Sequence, residues 1–148
     1  MIIYFIISAL LIAIDQITKW LTVNFLKPIS NIDLIPRFLS LTYVENRGAA
    51  FGIMQNSRWF FVIITLIFLI GLTIYAVKSK ERTKLFCISS ALVFAGAIGN
   101  LIDRVLSGYV VDMIRVHLFD FPVFNFADCC IVIGMILLCW AIGFQDNK

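Results

Sequence analysis

Residues 59–77 read WFFVIITLIFLIGLTIYAV, nineteen consecutive side chains with no charge on any face. A helix on the surface of a soluble core carries a polar stripe. A helix that crosses a bilayer needs about 20 apolar residues in a row. Three further runs share this character, over about residues 2–21, 85–102 and 126–144. They explain why the 148-residue chain is 61% hydrophobic and only 14% charged, when a soluble domain is about one-quarter charged. The expected fold is an α-helical polytopic membrane protein with four transmembrane helices. No internal repeat, low-complexity tract or long linker breaks the sequence, so residues 1–148 are read as a single membrane domain.

The first run differs from a cleaved secretory leader. Nothing basic precedes Ile2, and the run continues into Asp15, Gln16 and Lys19; a leader wants a basic start and a small-residue cleavage site. It is read as a retained span. Orientation follows from the turn Lys78-Ser79-Lys80-Glu81-Arg82-Thr83-Lys84, four basic residues in seven. Short basic connections stay in the cytoplasm. Both termini are then expected inside, and the longer segments 22–58 and 103–125 outside. The net charge of +3 is too small to suggest a nucleic-acid partner.

On this topology the polar residues gather at one level. Asp15 falls in the outer half of span one, Asn46 and Arg47 in the first outer segment, Asn100, Asp103 and Arg104 at the outer end of span three. Asp112 lies in the second outer segment, and Asn125 and Asp128 begin span four. The opposite halves of spans two to four hold little beyond Thr73, Ser89 and Ser90. An ionisable group inside a span is a candidate functional group because its burial is costly. Asp128, in Phe124-Asn125-Phe126-Ala127-Asp128-Cys129-Cys130, has a simpler reading too: Asn125 is a good helix cap, and a carboxylate three residues on suits the positive end of the helix dipole.

The outer segments show local order. Residues 38–44 (FLSLTYV) are rich in β-branched and aromatic side chains and read as a strand. Residues 113–118 (MIRVHL) alternate apolar and polar, the strand period. A small extracytoplasmic β-sheet is expected, followed by the glycine-bearing loop 45–52. Pro28 and Pro36 bracket residues 29–35, read either as a segment lying along the membrane surface or as an ordinary loop. Gly96 and Gly99 allow a neighbouring helix to come close. Asn100, Asp103 and Arg104 share one helix face, either as a surface ion pair between the last two or as a polar face turned into a site. Asp112 sits among apolar residues, a setting that raises a carboxyl pKa when buried.

Five short blocks then occur in a recognisable order: Asp15-Gln16-Ile17-Thr18-Lys19, Glu45-Asn46-Arg47-Gly48-Ala49-Ala50-Phe51, Gly99-Asn100-Leu101-Ile102-Asp103-Arg104, Val110-Val111-Asp112 and Phe124-Asn125-Phe126-Ala127-Asp128. With four spans and a basic turn, the chain resembles the signal peptidase II family, the lipoprotein signal peptidases of bacterial inner membranes, nearly end to end. The resemblance implies that Asp112 and Asp128 are a catalytic aspartyl pair. It implies that Asn46, Asn100, Arg104, Asn125 and Ala127 support the site or bind substrate, with Asp15 and Asp103 as structural or supporting residues. The substrate it implies is a prolipoprotein whose signal helix lies in the membrane, cut before a cysteine bearing a diacylglyceryl group. Membrane lipids are further partners, a monomer is expected, and neither cofactor nor metal is called for. Phe51 is read as lining a groove for the lipidated substrate, and Gly48 and Gly52 as letting the 45–52 loop move.

The chemistry of such a pair follows from its residues. Two close carboxyls cannot both ionise cheaply, so they share a proton and titrate together. One takes a proton from water while the other donates to the scissile carbonyl. The site would lie at the extracytoplasmic face. Arg104 is left with two roles, holding an acidic neighbour or a lipid phosphate. Three other classes compete. A small transporter or proton channel would carry polar groups through the midplane to both faces, which these spans lack. A scaffold would use the polar cluster only for docking. A thiol or metal enzyme would draw on His117 with Cys129 or Cys130, yet no C-x-x-C or H-x-x-x-H spacing occurs, and Cys87 and Cys139 fall inside spans, where cysteine acts as a small hydrophobe.

Overall fold

The computed structural model describes residues 2–48, 54–79, 83–118 and 120–143. Phe51 and Gly52, read above as groove and hinge, lie outside the described residues, as do Lys80, Glu81 and Arg82 of the basic turn. Four helices are long and apolar enough to cross a membrane. They are α1 (Ile2–Leu21), α2 (Arg58–Lys78), α3 (Lys84–Leu106) and α4 (Phe126–Gly143). Three strands, β1 (Asn31–Ile35), β2 (Leu39–Asn46) and β3 (Val110–Val116), form one antiparallel sheet in the order β1-β2-β3.

The four helices are not equivalent. On α2, Trp59, Ile63, Ile67 and Ile70 are exposed, and on α4 so are Val132, Ile133 and Ile136; in a bilayer these faces meet lipid. Helix α3 is the central one, burying Ser89, Ser90, Ala91, Val93, Ala95, Gly96 and Ala97 along its length. Small residues make that possible. A Cβ added at Gly96 would run into the Ala127 carbonyl, and one added at Gly134 would lie 2.8 Å from Leu92 and Val93. Association of helices in lipid gains little from the hydrophobic effect, so close backbone approach through small residues matters more. Away from the sheet, Leu72, Phe86, Val93, Leu138 and Ala141 form an apolar cluster. Val62 and Leu69 of α2 meet Ala97 and Leu101 of α3.

The sheet sits at the end of the bundle where α1 and α3 finish and α2 and α4 begin. Leu26, Val111 and Met113 anchor it. Several sequence expectations shift here. Span three does not stop at residue 102: α3 runs on to Leu106, so Asp103 and Arg104 are helical rather than part of an outer segment. Segment 22–58 likewise begins as a π-helical turn, Thr22–Leu26, continuous with α1. Residues 31–35 are not an ordinary loop but the edge strand β1, paired to β2 and exposed throughout. Strand β3 starts at Val110, three residues before its alternating stretch, because Val110 to Met113 are all buried and show no period-two pattern. Asp112 therefore lies on a strand.

Candidate active site

Helix α4 starts with a reciprocal cap. The Asn125 side-chain oxygen accepts from the Asp128 backbone N–H at 3.0 Å, and the Asp128 Oδ2 accepts from the Asn125 N–H at 3.1 Å. Two otherwise orphaned donors of the first turn are thereby satisfied, in the manner of a capping box. The capping reading of Asn125 and Asp128 is thus correct, and it is also what holds both side chains in place for the site.

Asp112 reaches the same place through the chain's return from β3. Backbone hydrogen bonds between Ile114 and Phe124, at 2.8 and 3.0 Å, lay residue 124 against the strand. Asn125 then stands beside Asp112. Its Nδ2 donates to Asp112 Oδ1 at 2.6 Å, so one buried asparagine contacts both acids. Asn46, at the end of β2, donates to Asp112 Oδ2 at 2.9 Å. Asn100 of α3 donates to Asp128 Oδ1 at 2.8 Å, and Asn125 Nδ2 also donates to Asn100 Oδ1 at 3.1 Å.

The amide orientations follow from chemistry. Each of the three carbonyls accepts from a group that can only donate: Asn46 from the Gly48 N–H at 3.1 Å, Asn125 from the Asp128 N–H at 3.0 Å, and Asn100 from the Lys19 ammonium at 3.0 Å. An amide whose oxygen is so committed must turn its NH2 the other way. All three NH2 groups consequently point at the two aspartates.

Asp112 is 1% exposed, whereas Asp128 is only partly buried. Burial, with the Asp128 charge adding to it, pushes the Asp112 carboxyl up to about 7, against the pull of Asn46 and Asn125. An apolar setting and a like charge both disfavour ionisation. A carboxyl poised near neutrality beside a second one can hold a proton to donate while its partner accepts one.

Behind the asparagines lies a group to which the sequence alone assigns no role in the site. Lys19, 3% exposed, pairs with Asp15 at 3.0 Å and Asp103 at 2.9 Å. Gln16 donates to Asp15, to Asp103 and to the Gly99 carbonyl. Asp103 is therefore not ion-paired to Arg104 at the surface; its partner is Lys19. The available signal was a lysine inside an apolar run, four residues after an aspartate, since such pairs share a helix face. Ala127 is fully buried and donates its N–H to Asp15 Oδ1 at 3.0 Å. Arg104 lies apart from a direct carboxylate contact: its guanidinium reaches the Asn100 and Gly48 carbonyls at 3.4 Å and sits 5.1 Å from the Phe61 ring centroid. His117 bonds Ser40 Oγ at 2.8 Å rather than a thiol.

A family profile described as signal peptidase II matches residues 7–144. A lipoprotein signal peptidase of Brevibacillus brevis is 42% identical over 98% of this chain and 97% of that protein. Two solved structures, both described as a bacterial membrane enzyme determined by the in meso method, superpose closely. One, at 2.3 Å resolution, has a TM-score of 0.89 and 38% identity over 98% of this chain and 91% of its own. The other, at 1.9 Å, has a TM-score of 0.86 and 39% identity over 97% and 94%.

Proposed function

The chain belongs to the signal peptidase II family of membrane peptidases, and from that premise we propose that it removes signal peptides from lipidated prolipoproteins by Asp112–Asp128 acid–base catalysis. The observation that carries the reading is Asn125, which bonds both carboxyls at once and keeps two acids from distant points in the chain at one spot. The ionised acid takes a proton from a water as its oxygen attacks the scissile carbonyl carbon. The protonated acid gives its proton to the carbonyl oxygen, and a neutral tetrahedral diol forms. Return of one hydroxyl proton and protonation of the amide nitrogen then break the C–N bond. The enzyme forms no covalent bond to substrate in this sequence.

The membrane setting supports the substrate class. The polar cluster lies at one end of the bundle while α2 and α4 present apolar faces outward, so a signal helix in lipid can lie alongside with its cleavage point level with the acids. The substrate cysteine would carry a diacylglyceryl group, the cut falling just before it. With the basic turn at residue 84 in the cytoplasm, the termini are inside and the site faces out, and the enzyme acts as a single-domain monomer.

The test is cleavage of a lipidated model prolipoprotein by the purified protein. Wild type is expected to cut it with a chelator present, and Asp112→Asn and Asp128→Asn to lose roughly 10²–10⁴-fold in kcat. Near-normal turnover by either variant would reject the acid–base pair. A scaffold using the cluster only for docking would tolerate the isosteric exchange.

A further inference from the structure

Lys19 is a full positive charge sealed inside the bundle, and it is not one of the reacting groups. An ion in such a place is costly unless its partners are fixed. Its three partners lead in three directions. Asp15 takes Lys19 on Oδ2 and the backbone N–H of Ala127 on Oδ1, at 3.0 Å each. Asp103 Oδ2 takes Lys19 at 2.9 Å and the N–H of Val111 at 3.1 Å. Ala127 immediately precedes Asp128, and Val111 immediately precedes Asp112. The third partner, Asn100 Oδ1 at 3.0 Å, belongs to the amide that donates to Asp128.

We propose that Lys19 is a positioning residue for the aspartyl pair, clamping the backbone beside each acid through Asp15 and Asp103 and fixing the Asn100 amide so that its NH2 faces Asp128. This rests on the function proposed above. Lysine suits the task because an ammonium has three hydrogens and no acceptor; each hydrogen is matched by one partner. Gly99 leaves the room, since a Cβ there would strike the Asp15 carboxylate. Without the ammonium, the Asn100 oxygen keeps only the Asn125 Nδ2 donor at 3.1 Å, and the amide facing Asp128 is held less firmly.

The experiment is a double-mutant cycle on the full-length protein in detergent, with the lipidated model prolipoprotein as substrate. Lys19→Met is expected to lower kcat about 10–100-fold and to leave KM within about twofold, since a positioning residue makes no substrate contact. In an Asn100→Ala background the same change should cost less than about a third as much, because residues acting through one another are non-additive. Lys19→Met/Asp103→Asn keeps the net charge of the Asp15–Lys19–Asp103 group and guards against loss of fold from two unpaired acids. Equal losses in both backgrounds overturn the proposal. So does full activity of Lys19→Met, or failure of both variants to give a cooperative unfolding transition, which would make Lys19 a prop for the fold alone. If wild type itself fails to cleave, the function proposed above has failed rather than the role of Lys19.

Discussion

The two ends of the helix bundle are held together by different physics. Away from the sheet, Leu72, Phe86, Val93, Leu138 and Ala141 make an apolar cluster, and nearby the hydroxyls of Tyr4 and Ser90, which line a cavity of about 50 Å³, have no hydrogen-bond partner among the described residues. At the sheet end, Asp15, Lys19, Asn100, Asp103, Asp112 and Asn125 are all buried, and each makes at least two polar contacts. The first region needs volume and small residues. The second needs every donor to meet a particular acceptor, and one lost partner strands a buried charge or amide.

That contrast can be broken experimentally, and the largest effect expected is on pH dependence. The fold raises the Asp112 carboxyl to about 7, from roughly 3.9 in an unfolded chain. A raised acid binds its proton more tightly when folded. Its contribution is complete below about pH 4 and is lost as pH rises through about 7, by a few kcal/mol at most. Thermal unfolding in detergent should therefore show stability falling across this window, and Asp112→Asn should flatten the fall. An unchanged slope in that variant would contradict a carboxyl at residue 112 raised by burial.

Asn125→Ala comes next, because it removes a helix cap and the shared donor together. A loss of about 1 kcal/mol in unfolding free energy is expected from the cap, with kcat down roughly 10–100-fold. Retained activity would mean the two acids keep their places without it. Glycine exchanges sharpen the comparison further. Gly99→Ala drives a methyl against Asp15 and should cost about 1–3 kcal/mol, whereas Gly71→Ala meets nothing within 4 Å and should be neutral or better by up to about 1 kcal/mol. Equal effects at the two positions would erase the distinction between a packed polar centre and a lipid-facing helix. The smallest change is at the far end: Tyr4→Phe deletes a hydroxyl that has no partner, so stability should hold or rise by up to about 1 kcal/mol. A clear loss there would show that the apolar end also depends on hydrogen bonding.

Much of this was visible in the linear chain, for reasons that differ by element. Helix α2 declared itself because its uniform apolarity leaves no alternative to a span. The Asn125–Asp128 cap was readable because capping depends on neighbours three residues apart. The ends of α3 and of the strands were less so: α3 runs past residue 102 to Leu106, and Asp103 within that last stretch finds a buried partner on α1. Strand β3 hid its first half because it is covered on both faces there, which removes the alternation that marks a strand. Lys19 was passed over as a reacting-site neighbour because its partners, Asn100 and Asp103, lie more than eighty residues away.

What the sequence determined alone was local and compositional: four apolar helices, the cap of the last one, a small sheet, and the end of the bundle at which polar groups collect. These follow from hydropathy and short-range hydrogen bonding, which act within a few residues. Tertiary structure decided which polar groups meet. Asp112 and Asp128 share Asn125, and Asp15, Asp103 and Asn100 share Lys19, only because α1, α3, α4 and β3 converge at one end of the bundle, and the directionality of each hydrogen bond is set by the donor that arrives from another element.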